Sequence, residues 1–174
     1  MKKKTFIIFI ITFLIFCFFI FFIGLNKTTD DYIPNKTLGK KIKTFEAIKL
    51  FDNQKIVSDQ IFINNQIYLF NIWASWCLPC RNEHKILMVL SNNPLINIVG
   101  INYKDDPENA NKFLDTMGNP YSLILKDEDG IVSIELGAYG VPETFVINKD
   151  KIILKKFIGP LNMESIKEIE LLIK

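Results

Sequence analysis

The chain has 174 residues, 49% of them hydrophobic and 23% charged, and its 21 basic against 19 acidic side chains leave a formal charge of +2. Without Lys2, Lys3 and Lys4 the balance is 18 to 19, so the rest of the chain is not basic and there is no electrostatic case for nucleic acid. No internal repeat is visible.

Met1-Lys2-Lys3-Lys4 leads into Phe6 to Leu25, a run with no charge and only Thr12 as a clearly polar break. About 20 apolar residues cross the roughly 30 Å of a bilayer core as a helix, and this run is that long. A cleaved signal peptide would have a shorter apolar core ending in small residues. Here Phe19 to Ile23 run straight up to Gly24, which favours an uncleaved anchor over residues 1–25. Phe16 stands where a lipid-attachment site needs a small residue before its cysteine, so Cys17 reads as an apolar side chain of the span and accounts for the odd cysteine count. Three lysines before the span and only Lys27 close behind it favour a cytoplasmic N-terminus, with everything after Leu25 across the membrane.

Residues 26–43 are polar, with Pro34 and Gly39 and no sustained periodicity, and read as a tether. Residues 44–174 suffice for one ordinary domain. Short strands are expected at Glu46 to Leu50 and Gln54 to Val57, with a turn at Asp52-Asn53. Ile67 to Trp73 reads as a buried strand, and Leu78 to Leu90 carries Ile86, Leu87, Val89 and Leu90 at helical spacing behind Pro79. Leu95 to Asn102 is a strand, and Pro107 to Met117 a helix with Gly118 at its end. Tyr121 to Leu125 follows as a strand. Glu143 to Asn148 and Lys151 to Phe157 form a hairpin around Lys149-Asp150, and Asn162 to Ile173 closes the chain as an amphipathic helix. Strands alternating with helices and ending in a hairpin plus helix describe an α/β domain with a mixed sheet.

Two cysteines lie where the first long strand meets its helix. The first turn of a helix leaves backbone N–H groups unpaired and carries the positive end of the dipole, which pushes a thiol toward the thiolate that attacks disulfides. Cys77 is the candidate nucleophile. Cys80, one turn on, can reach back, expel what Cys77 has captured and close an intramolecular disulfide.

Around this pair, Asn71 to Glu83, Gly100-Ile101-Asn102-Tyr103-Lys104-Asp105-Asp106, Gly118-Asn119-Pro120-Tyr121 and Gly137-Ala138-Tyr139-Gly140-Val141-Pro142-Glu143-Thr144-Phe145 together resemble the thioredoxin fold. More narrowly, they resemble its membrane-anchored cytochrome c biogenesis branch, the DsbE/CcmG-type thiol:disulfide interchange proteins. The resemblance implies a thioredoxin-like mixed sheet flanked by helices behind the N-terminal transmembrane helix, and Cys77 and Cys80 as a redox-active disulfide. It implies that Pro142 is cis and faces the cysteines, so that Val141 offers backbone groups to an extended substrate segment. Trp76 shields the thiols and shapes the contact surface.

Glu83 shares a helical face with Cys80, and Glu143 follows Pro142; both are expected to tune the thiols and to serve as proton donor or acceptor. Many thioredoxins carry a buried Asp six residues before the first cysteine. That position is Asn71 here, so proton traffic is routed elsewhere. His84 with Cys77 and Cys80 supplies at most three soft ligands, and no second Cys pair exists to complete a closed zinc site, so neither a metal nor a cofactor is expected.

The implied protein is a membrane-anchored disulfide reductant in the bacterial inner membrane, its soluble domain facing the periplasm. Its implied partners are apocytochrome c or a cytochrome c maturation protein, and an integral membrane thiol electron donor. A general periplasmic thiol oxidase or reductase is the alternative, and a copper-binding module of the same fold is a further one.

Overall fold

The computed structural model describes residues 2–26, 37–63 and 66–173, and the chain divides into two compact units, Met1–Pro34 and Asn35–Lys174. In the first, Lys2–Asn26 is one helix, α1. Its stretch Lys3–Ile23 is long and apolar enough to cross a membrane and leaves no polar face for water, which fits a membrane anchor. Within the apolar run from Phe6 to Ile23, the polar side chain of Thr12 is satisfied locally, because its hydroxyl donates back to Ile8 O (3.0 Å) and Phe9 O (2.9 Å).

The second unit is built on a seven-stranded sheet in the order β2-β1-β5-β4-β3-β6-β7. The strands are β1 (Glu46–Lys49), β2 (Lys55–Val57), β3 (Ile67–Trp73), β4 (Ile96–Tyr103), β5 (Leu123–Asp127), β6 (Glu143–Ile147) and β7 (Ile153–Ile158). The central β3, β4 and β5 are parallel and the outer pairs antiparallel. The helices are α2 (Leu78–Leu90), α3 (Pro107–Met117), α4 (Ile131–Leu136) and α5 (Met163–Ile173).

Pleating sends alternate side chains of β3, buried from Tyr68 to Trp73, to opposite faces. Leu69 and Trp73, with Ile96, Ile98 and Val146, pack against Leu87, Leu90, Phe113, Leu114, Ile166 and Ile169 of α2, α3 and α5. Tyr68, Phe70 and Ile72, with Val99, Ile101, Phe145 and Ile147, pack against Val132 and Leu136 of α4 and against Ile42 and Phe45. Asn71 therefore faces α2, while Glu143, in phase with Phe145, faces the α4 side.

Of the segment 26–43, residues 27–36 lie outside the described residues. The rest is not a free tether. Gly39 N–H donates to Ile153 O (2.8 Å), Ile153 N–H to Lys40 O (3.0 Å) and Ile42 N–H to Lys151 O (2.9 Å), so this stretch borders β7 and buries Ile42. The expected strands and helices are present with ends shifted by one or two residues, but α4 is an addition. Six residues are too few to display a helical period. The helix is started by Asp127, whose carboxylate accepts from Val132 N–H and Ser133 N–H (3.0 Å each) around Gly130 at φ 77°.

Gly100 on β4 lies under two aromatic rings. A Cβ there would sit 2.8 Å from Trp73 Nε1 and 2.9 Å from Tyr121 Cδ1, in rings stacked 5.3 Å apart. Gly100→Ala is expected to lower the unfolding free energy by roughly 1–3 kcal/mol. Urea unfolding of the detergent-solubilised chain, followed by tryptophan fluorescence, measures it; an unchanged midpoint would mean that the rings give way freely.

Candidate active site

Cys77 is the N-cap of α2, with φ −85° and ψ 107°, and its Sγ accepts from Cys80 N–H at 3.1 Å. Pro79 sits in the first turn, where its missing N–H leaves no bond unmade. The two cysteines are joined by a disulfide with Cα atoms 5.3 Å apart. Both are nearly buried, at 3% and 2% exposure, while their chain neighbours Trp76 and Leu78 are 57% and 68% exposed.

The loop that delivers Cys77 is clamped by the stretch after β4. Asp105 accepts from Ser75 N–H, from Ser75 Oγ at 2.7 Å and from Asn102 Nδ2 at 3.0 Å. Trp76 Nε1 donates to Lys104 O (3.1 Å), and Arg81 Nη2 to Ser75 O (2.9 Å). Asp105 and Arg81 were not singled out as site residues. For Asp105 the signal was the Lys104-Asp105-Asp106 block, whose partner could not be read without the β3–β4 register.

Behind the disulfide lies a buried polar chain. Tyr121 Oη donates to Asn71 Oδ1 (2.9 Å), and Asn71 Nδ2 donates to Glu83 Oε1 (2.8 Å) and to Thr144 Oγ1 (3.0 Å). Glu83 Oε2 accepts from Leu161 N–H at 2.7 Å. Asn71 and Glu83 are fully buried. Burial pushes the Glu83 carboxyl up to about 7, against the pull of the Leu161 N–H and the Asn71 amide. Burial also holds the Tyr121 phenol well above its usual value, with the Glu83 charge adding to the effect. The helix thus brings a carboxyl to the side of strand residue Asn71, three residues past Cys80 on the same face.

The structure separates the second expected tuner from the thiols. Glu143 lies on the opposite face of the sheet from α2, buried, with its Oε2 2.8 Å from Lys156 Nζ and its Oε1 accepting from Tyr139 N–H (2.9 Å) and Gly140 N–H (3.2 Å). A carboxylate already holding an ammonium and two amides across the sheet is not placed to exchange protons with Cys77 or Cys80. Its neighbour does match expectation: the Val141–Pro142 bond is cis. Glu143 pairs with Ile72, so this bond lies at the end of the sheet where β3 turns toward Cys77. Pro142 O accepts from Gly159 N–H at 3.0 Å.

His84 is buried, with Nε2 2.9 Å from Gly118 O and its ring edge-on to Phe113 at 4.9 Å. Burial lowers its pKa. It packs α2 onto α3, and no group of three His, Cys, Asp or Glu able to hold a metal occurs among the described residues.

Fold and site together define a thioredoxin-like domain with a Cys-x-x-Cys disulfide at the head of its long helix. A family model described as Redoxin matches residues 37–172, and the chain belongs to the Redoxin family. The thiol:disulfide interchange protein CycY of Rhizobium leguminosarum bv. viciae is 48% identical over 100 residues, covering 58% of this chain and 54% of that protein. The thiol:disulfide interchange protein DsbE of Escherichia coli K12 is 49% identical over 94 residues, covering 54% and 50%. The chain thus spans about half the length of the curated relatives it matches. The solved thioredoxin domain of a thiol-disulfide oxidoreductase from Bacteroides vulgatus superposes with a TM-score of 0.66 at 15% identity, over 79% of this chain and 98% of that one, a likeness of fold.

Because the folded pKa of Glu83 lies above its ordinary value of 4.5, the native state holds a proton that the unfolded state has released between about pH 4.5 and 7. Its contribution to stability is therefore fully present below that window and is lost as pH rises through about 7, roughly 3 kcal/mol in all. Urea titrations of the oxidised chain from pH 4.5 to 8 are expected to show this slope and to lose it in Glu83→Gln. A slope that survives the substitution belongs to another group.

Proposed function

We propose that this chain is a membrane-tethered thiol:disulfide oxidoreductase that reduces partner disulfides outside the cytoplasm. The observation that carries the reading is the Cys77–Cys80 disulfide capping α2, one helical turn from a buried carboxyl poised near neutrality. The names of the two curated relatives described above support thiol:disulfide exchange as its chemistry.

In the reduced protein, the Cys77 thiolate attacks one sulfur of the partner's disulfide; a new S–S bond forms and the partner's other sulfur leaves as a thiolate. Cys80 gives its proton to the Glu83 carboxylate and attacks the Cys77 sulfur, so the partner's second thiolate departs. Two electrons pass to the partner, and the chain is left as the Cys77–Cys80 disulfide. An integral membrane thiol donor returns two electrons. Val141, with Pro142 and the exposed Trp76, forms the edge on which an extended partner segment lies. The partner is an apocytochrome c segment of Cys-x-x-Cys-His type, or a maturation protein that handles it, since haem is linked only to free thiols. Helix α1 anchors the domain, and the lysines at its start favour a cytoplasmic N-terminus in the bacterial inner membrane with the domain in the periplasm.

The test uses an oxidised Cys-x-x-Cys-His peptide. Cys80→Ser is expected to trap a mixed disulfide with it, seen as a mass increase that a dithiol reverses, and Cys77→Ser to reduce nothing. Activity retained by Cys77→Ser would overturn the assigned roles. A reduction potential more negative than the about −180 mV of protein disulfide isomerase fits a reductant, and a less negative one makes the chain an oxidant.

A further inference from the structure

Lys156 on β7 is 1% exposed at its side chain and meets Glu143, 2% exposed, across 2.8 Å. Its Nζ also donates to Gly137 O at 2.8 Å and lies 4.3 Å from the Tyr139 ring centroid and 5.2 Å from that of Phe145. The ammonium is therefore surrounded by two oxygens and two ring faces, a setting in which a cation and an aromatic attract. The far oxygen of Glu143 takes the N–H groups of Tyr139 and Gly140. Gly137 and Glu143, the two ends of the segment that carries Val141 and Pro142, are thus tied to a single ammonium.

Burying both charges costs several kcal/mol each, and two apolar side chains of similar volume would hold β6 to β7 equally well. What apolar side chains cannot do is fix main-chain groups. The ion pair fixes those of Gly137, Tyr139 and Gly140, and the segment so held lines, with Ile158 and Gly159, an open cleft of about 290 Å³.

We propose that Lys156 is a positioning residue for partner docking: acting through Glu143 and Gly137, it holds the Tyr139–Pro142 backbone in the shape that receives an extended disulfide-bearing segment. The inference rests on the docking role given above to Val141 and Pro142. It assigns Glu143 to that same clasp and not to proton transfer. With the clasp gone, the partner must order the loop as it binds, so the loss falls on KM and leaves kcat, which is set by thiols on the other face of the sheet.

The experiment is steady-state reduction of the oxidised Cys-x-x-Cys-His peptide by the full-length chain in detergent, recycled by a small dithiol. Lys156→Met is expected to raise KM about tenfold with kcat within about twofold, the scale of one or two groups newly ordered on binding. Lys156→Arg, which keeps the charge and several donors, is expected to restore KM to within about threefold of the parent. Lys155→Gln, which removes the neighbouring cation that pairs with Glu168 on the α2 face, serves as the control for charge alone and is expected to match the parent. If near-ultraviolet circular dichroism shows Lys156→Met unfolded, Glu143→Gln/Lys156→Met, which leaves no buried charge unpaired, replaces it with the same expectation. An unchanged KM in a folded variant, a loss confined to kcat, or an equal loss in Lys155→Gln overturns the proposal. A parent chain that reduces no peptide disulfide overturns the disulfide-reductant reading with it, and this is seen before any variant is compared.

Discussion

The carboxyl of Glu83 joins three elements that the chain places far apart. It belongs to α2, accepts from Asn71 on β3, and accepts from Leu161 in the connection before α5. Withdrawing a carboxylate from water costs several kcal/mol, and among the described residues two neutral donors, and no cation, offset it. The proton balance of the group therefore moves toward neutrality. Asn71 is the appropriate partner for such a group. An aspartate at that position would put two carboxylates within hydrogen-bonding distance, and the pair could not ionise together. The amide instead donates to Glu83 and accepts from Tyr121, so each of its polar atoms has a use.

The two buried glutamates are solved in opposite ways, and the sheet divides them. Glu83 faces the helix that carries the cysteines and has amide donors alone. Glu143 lies on the α4 face against an ammonium with three donors. The first arrangement leaves a proton available near neutral pH. The second holds a charge pair in place. Expecting both to tune the thiols treated nearness in sequence to Pro142 as nearness in space to Cys77, whereas β-strand alternation sends Glu143 away from α2.

The same alternation explains what was legible beforehand. The largely apolar run of β3 around Asn71 and the Pro-led helix after it are local signals, so both were placed with the bounds the structure shows. The Val141–Pro142 peptide is cis, as the resemblance implied. Burial of charged residues was not legible. Lys155 and Lys156 are adjacent lysines of the same kind, yet one pairs with Glu168 toward α5 and the other is sealed beneath a loop. Telling them apart requires the register of β6 on β7, Phe145 opposite Lys156, and that register is interrupted by an irregularity at Val146/Ile147. Helix α4 escaped notice because its start depends on Asp127 and a left-handed Gly130, not on an apolar period.

Two opposing influences meet at the cysteines. The N-terminus of α2 favours a thiolate at Cys77, the residue that caps it. A charged Glu83 one turn deeper disfavours negative charge at Cys80, its neighbour on the same face. Under the proposed reading, the two thiols need different treatment: the attacking one must already be ionised, and the resolving one must keep its proton until the mixed disulfide has formed. A carboxyl that titrates near 7 meets the second requirement, because while protonated it does not repel the Cys77 thiolate, and once ionised it can take the proton that Cys80 must lose. A fully ionised carboxylate of ordinary pKa would accept that proton poorly. The burial that raises Glu83 is thus what makes it useful, and it follows from packing α2, β3 and the α5 connection over one unpaired acid.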